Sequence, residues 1–393
     1  MKRPPRFHNR AFARLGLAAA LAALLPALAF AAQGVFSGEV RIGTHLDLSG
    51  PLSAQGTAVR NGMEMALEDA NAAGGVNGRA IRLMVVDDGY DPARAAEAVR
   101  SLAEDSFAIL SPFGTPTVNA AAEDALSREV PYLFPLAAAD ELPAHALFFT
   151  LSLSGADAAA DGLGRVLDMR RGAEVAVLAP DDAFGRSVLA GAKRALAERG
   201  LALEAQAVFA SGAPDFTITL GWLREKNVEI VVLGAGGEDV IGIMQAARNM
   251  RWRPAFLCPL ACYMPELAAL GGDTLEGLYA VGEVAIPYPD DPVLKDWARR
   301  YEAKYATAPS AQALTGYRNA RMFLAALERT GRTPTQEALR HALESMGPWS
   351  DPDLGGPILA FSPEDHSGQH RGFLAQARGG RWAIIPDRNP DRL

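Results

Sequence analysis

Residues 111–117 read SPFGTPT, a turn-forming run between a short apolar strand and the start of a helix. The first turn of a helix leaves backbone N–H groups without partners and carries partial positive charge, so this junction suits a carboxylate. The hydroxyls of Thr115 and Thr117 add donors beside it. The alternative is simple N-capping by Thr117, which leaves the same mark in a sequence. Other reactive residue types lack company. Asp87 and Asp88 end a strand, and the sequence shows no acid facing them, so structural roles are their default. His366 and His370 stand beside Asp365 at metal-ligand spacing, but SPEDHSGQH is rich in turn formers. GAGGED at 234–239 lacks the third glycine of a dinucleotide fingerprint. No Walker motif, His-Glu-x-x-His or Gly-x-Ser-x-Gly occurs. Cys258 and Cys262 have no histidine nearby and make a poor zinc site. An exported chain permits a disulfide between them, and two buried thiols fit the spacing equally. These residues predict ligand binding, with no enzyme activity, metal or cofactor.

The elements that must position them begin at residues 40–92. Val40, Ile42 and Leu46 lead into the turn Ser49-Gly50-Pro51. Val59, Met63, Ala66, Leu67 and Ala70 then recur at helical spacing, with Arg60, Glu64, Glu68 and Asp69 opposite. Gly74-Gly75 stops this helix, and 81–86 is a nearly continuous apolar strand of the kind found in parallel sheets covered on both faces. The pattern repeats through 93–105 (helix), 107–110 (strand), 118–129 (helix) and 130–135 (strand). Its loops at 48–56, 111–117 and 135–140 leave the carboxyl ends of strands, where open α/β sheets hold ligands.

After an extended segment at 148–154 and a small-residue helix at 156–167, a second α/β series runs from 175 to 257. Its loops carry Asp181 to Gly185, Gly234 to Gly237 and Cys258 to Tyr263. Residues 278–286 are extended again. Helices at 293–305, 314–330 and 335–345 follow, then extended pieces at 354–361, 373–377 and 382–385.

At 393 residues the chain is long enough for two domains, and its 49% hydrophobic and 21% charged content is that of a globular chain. The N-terminus reads as a secretory signal peptide over 1–32: basic residues end at Arg14, and the apolar stretch 15–30 is broken by Pro26 and followed by small residues. That stretch is short for a span of about 20 residues, which argues against an uncleaved anchor. No cysteine follows it to carry a lipid. Cleavage after Ala31 or Ala32 leaves 33 basic against 46 acidic side chains, a net −13, which argues against nucleic acid as a partner.

The loop SGPLSAQG, the helix NGMEMALEDANAAGGVNGR and the strand end VVDDGYDP resemble the opening of periplasmic solute-binding proteins of the leucine/branched-chain amino acid ABC-transporter family. The resemblance continues to about residue 383. It implies a two-lobed α/β fold, the type I periplasmic binding protein, in which each lobe is a mostly parallel sheet flanked by helices. Three hinge crossings would match roughly 149–154, 280–286 and 355–362. Lobe 1 would comprise 38–149 with 286–355, and lobe 2 would comprise 150–280 with 360–390. Such a protein resides in the periplasm, closes on a small-molecule ligand and delivers it to an ABC-transporter permease in the inner membrane. The same fold can instead present its ligand to a membrane receptor.

The resemblance places ligand contacts at Ser49, Phe113, Thr115, Thr117, Ala137, Ala138, Phe184, Gly236 and Leu260, with the carboxylate at 111–117. Several of these positions depart from the amino-acid pattern. Ala137 and Ala138 stand where a small residue and a threonine are usual, Phe184 and Gly236 where tyrosines are usual, and Leu260 where a glutamate faces the ammonium. An ammonium buried without a partner costs several kcal/mol. The expected ligand is therefore an apolar or aromatic carboxylate or another lipophilic compound, with a branched-chain amino acid as the family's default.

Overall fold

The computed structural model describes residues 32–137, 144–210 and 215–386. The signal-peptide reading of 1–32, apart from Ala32, and the contact expected at Ala138 lie outside the described residues.

The first lobe alternates β1 (Glu39–Leu46), α1 (Ser53–Ala72), β2 (Ala80–Asp87), α2 (Pro92–Asp105), β3 (Ile109–Leu110), α3 (Thr115–Leu126), β4 (Tyr132–Leu133) and β5 (Phe148–Phe149). All these strands pair in parallel, in the order β2-β1-β3-β4-β5. The second series is α4 (Gly155–Met169), β6 (Val175–Ala179), α5 (Ala183–Ala197), β7 (Ala205–Val208), α6 (Thr217–Glu225), β8 (Ile230–Leu233), α7 (Gly237–Asn249), β9 (Ala255–Pro259), α8 (Pro265–Gly271) and β10 (Tyr279–Gly282). Then come α9 (Lys295–Tyr305), α10 (Ala311–Arg329), α11 (Gln336–Ser345), the ribbon β11 (Trp349–Asp351) with β12 (Gly355–Leu359), β13 (Phe373–Arg378) and β14 (Arg381–Ile384). The second sheet runs β14-β13-β10-β9-β8-β6-β7, with only β13 and β14 antiparallel to their neighbours.

Local chemistry explains these elements. Every residue of β6, β8 and β9 is buried, as a strand with helices on both faces requires. Asp91, Ser154, Asp182, Ser310 and Thr335 accept backbone N–H bonds at the starts of α2, α4, α5, α10 and α11. A second helix, α10, packs across α1 at Val59 and Gly62. A Cβ at Gly62 would collide with the carbonyl of Ala313, and one at Gly316 with that of Val59, so two glycines let α1 and α10 cross closely. Residues from α9, α10 and α11 all join the first-lobe core with β1 and α1.

Two details differ from the sequence expectation, and the pairing of the cysteines, left open there, is decided. Helix α3 starts at Thr115 with Gly114 (φ 109°) as its N-cap, so Thr117 is not the cap; Pro116 occupies the first turn, where its missing N–H costs nothing. Helix α8 and strand β11 were not expected, being short and, for α8, opened by proline and closed by glycine. The two cysteines form a disulfide, with S–S 2.05 Å. Phe361 stacks on Phe134 and meets Phe149 edge-on in the first-lobe core.

Candidate ligand-binding cleft

A cleft of about 400 Å³ lies between the two sheets. Phe113, Thr115 and 135–137 form one wall with Ala311, Gln312 and Thr315 of α10, while Leu260, Tyr263 and Met264 form the other. The floor consists of the connections between the lobes, 151–153 and 281–284, with Arg318 and Asn319 of α10 beneath. Most of this lining is apolar.

The second wall is a loop held by covalent and steric means. The disulfide brackets Leu260, whose φ is 58°, and the Leu260 N–H donates to the Val281 carbonyl at 3.2 Å. Tyr263 lies so close over Gly282 that any side chain there would strike its ring. The Trp382 indole donates to the Met264 carbonyl at 2.9 Å, tying the loop to β14.

The polar groups gather at the floor. Arg318 is only 5% exposed, and burial lowers its guanidinium to about 10 even though Glu283 and Asp351 oppose the shift. Its N–H groups reach neutral oxygens: the Glu283 carbonyl at 3.1 Å, Gln369 Oε1 at 3.3 Å and Asn319 Oδ1 at 3.4 Å. Asn319 in turn donates to Ser111 Oγ at 3.1 Å and the Phe134 carbonyl at 3.3 Å. Part of Glu283 is open to the cleft, yet desolvation dominates and raises its carboxyl, against the Leu153 N–H and the Arg318 charge.

Of the residues expected to touch ligand, Phe113, Thr115, Ala137 and Leu260 line this cleft. Thr117 is fully buried, and its hydroxyl donates to the carbonyls of Phe113 and Gly114, both at 2.9 Å. Ser49 donates to Asp87 Oδ2 at 2.6 Å and is absent from the lining. Phe184 packs against Gly155 and the second-lobe core. Gly236 is the exposed N-cap of α7, and a Cβ there would meet nothing. Glu283 and Arg318 escaped the sequence reading. Arg318 had a signal, since it follows Leu314 and precedes Met322 at four-residue spacing on the buried face of α10.

The other candidates have structural partners. Asp87 also accepts the Leu48 and Gly89 N–H groups at 2.9 and 3.0 Å. Asp88 meets His45 Nδ1 at 2.7 Å, and His45 Nε2 meets the Tyr132 hydroxyl at 2.6 Å, all fully buried. His366 pairs with Glu344 at 3.1 Å and stacks on Phe149. His370 lies between Asp365 and Asp157, at 2.8 and 3.4 Å. Among the described residues no group of three or more His, Cys, Asp or Glu side chains is placed to hold a metal ion, and no helix there is long and apolar enough to cross a membrane.

Known proteins share this architecture. A profile of the periplasmic binding protein family matches residues 39–381. A Leu/Ile/Val-binding protein homolog of Brucella suis is 26% identical over 80% of this chain and 81% of its own length. The leucine-, isoleucine-, valine-, threonine- and alanine-binding protein of Pseudomonas aeruginosa is 23% identical over 86% of this chain and 90% of its own. Among solved structures, a candidate branched-chain amino acid ABC transporter of Rhodospirillum rubrum superposes with a TM-score of 0.78 at 24% identity, covering 88% of this chain and all of that one. A fatty acid ABC transporter substrate-binding protein of Thermomonospora curvata gives 0.70 at 23% identity, covering 90% and 93%. The chain belongs to the periplasmic binding protein family, has the two-lobed type I fold, and is a binding protein rather than an enzyme.

Proposed function

We propose that this protein is the exported substrate-binding component of an ABC importer, and that it captures a small carboxylate with a mostly apolar body. Residues 1–32 are then a cleaved leader, the mature chain works in the periplasm, and closure of the lobes hands the ligand to a membrane permease. The observation that carries the ligand class is Leu260: it lines the cleft and offers no acceptor where the family's amino-acid pattern has a glutamate. Phe113, Pro135, Leu136, Met264 and Val281 extend the apolar lining. A carboxylate has two supports, the N-terminus of α3 at Thr115 and the positive charge of Arg318 under the floor. The relatives' names point to branched-chain amino acids and one structural neighbour's to fatty acid, and the lining at 260 favours the second kind of ligand.

Native mass spectrometry of the mature protein purified from the periplasm tests this. The expected adduct is a carboxylic acid without an α-amino group. Recovery of leucine, isoleucine or valine would overturn the ligand class and leave the binding-protein role standing.

A further inference from the structure

Resting on the reading of this cleft as the ligand site, we propose that Glu283 is a specificity residue, accepting a hydrogen bond from a hydroxyl or amine at the hinge end of the ligand. The preferred carboxylate is then not apolar throughout. It carries one donor group on its apolar body.

Glu283 directly follows β10, in the second connection between the lobes. Its Oε1 accepts the Leu153 N–H of the first connection at 2.5 Å. Its backbone carbonyl accepts from Gln369 Nε2, in the stretch between β12 and β13, at 3.2 Å and from Arg318 Nη1 at 3.1 Å. One residue is thus gripped from the first connection, from the β12–β13 stretch and from α10, and the Leu153 bond holds its carboxyl at the cleft floor.

That carboxyl is short of donors. A carboxylate accepts about four hydrogen bonds, and among the described residues Leu153 supplies one, to Oε1. Oε2 receives none there. Arg318 is near enough to favour the ionised form, but its N–H groups go to neutral oxygens and not to the carboxyl. Desolvating a carboxylate with so few bonds is costly, and a ligand donor at Oε2 offsets that cost. The bond would form where the lobes pivot, so occupancy and closure would be linked through one side chain.

The test compares matched carboxylates by calorimetric titration: hexanoate, 6-hydroxyhexanoate and 6-aminohexanoate, and phenylacetate with 4-hydroxyphenylacetate. With the wild-type protein, a donor-bearing member should bind about tenfold or more tightly than its parent, the scale of a hydrogen bond to a charged group. The hydroxy and amino arms tell which donor is preferred. In Glu283→Gln the amide oxygen can keep the Leu153 bond while the amide nitrogen turns to the cleft, so the preference should vanish or reverse. Should that variant fail to fold, Glu283→Asp keeps the charge, withdraws it from the cleft and should weaken the preference. Equal binding of parents and donor-bearing members by the wild type overturns the assignment, as does a preference that survives in E283Q. Parents binding alone would leave the carboxylate reading intact and remove this one; no binding by any member would remove both.

Discussion

The disulfide at the cleft wall makes a quantitative prediction. Cys258 and Cys262 close a ring of five residues, and cross-linking so short a loop removes about 7 cal/mol/K of entropy from the unfolded chain, about 2 kcal/mol at 25 °C. Both residues are fully buried, so replacing them with alanine also removes packed sulfur, adding on the order of 1 kcal/mol. The double variant C258A/C262A should therefore lose about 2–3 kcal/mol in urea unfolding with an unchanged slope. The cost should extend to binding, because the ring brackets Leu260 and adjoins Tyr263, which together form the second wall. The hydrogen bonds from Leu260 to Val281 and from Tyr263 to Leu260 remain, so the loop should loosen and not collapse, and affinity should fall severalfold. A variant as stable as the wild type to within about 0.5 kcal/mol would refute the reasoning, since neither the ring entropy nor the buried sulfur would then matter.

Three further outcomes are expected. Gly316→Leu should cost about 3 kcal/mol by forcing α10 away from the Val59 carbonyl; an unchanged melting temperature would contradict the close crossing of α1 and α10. Hydrogen bonding to Asp157, aided by Asp365, raises His370 to about 9. Its folded value therefore lies above the unfolded value of about 6.5, and its contribution is complete below that pH and lost as the pH climbs through 9. His370→Asn should flatten the fall in melting temperature over that window, modestly because the side chain is half exposed, and a slope identical to wild type would remove the role. Closure should lower the radius of gyration in small-angle scattering with a ligand that stabilises the protein, whereas an unchanged radius at saturation would indicate a rigid scaffold.

Much of this architecture was legible in the sequence because parallel strands buried on both faces leave unbroken apolar runs. VAVLA at 175–179 and IVVL at 230–233 are examples. The segments near 150 and 283 were readable as extended, and only the family resemblance made crossings of them; what they contribute to the cleft was not legible, because periodicity places a residue on an element but not above a neighbouring lobe. Thr117 shows the limit of local signals, since a threonine at a helix start reads as cap or as ligand donor, and the glycine before the helix took the cap. Ser49 and Phe184 have the right types in the right loops, but Asp87 and the second-lobe core hold them. The cysteine spacing could not choose between bridge and thiols, because that depends on how the loop after β9 folds back.

On the proposed reading, Leu260 gives the ammonium of a free amino acid no acceptor at its place in the cleft wall. Losing a buried charge partner costs about 3–5 kcal/mol, a factor of hundreds to thousands in affinity. The most direct measurement is the melting temperature of the mature protein with leucine and with 4-methylpentanoate, the same skeleton without the amino group, each at about 1 mM. Occupancy at about 100 times the dissociation constant stabilises by about 2.7 kcal/mol, enough to read. No shift is expected with leucine, and a clear shift with the amine-free acid. A clear shift at micromolar leucine would contradict this reading, and would place the ammonium on another acceptor, of which Glu283 is the carboxylate that the cleft offers.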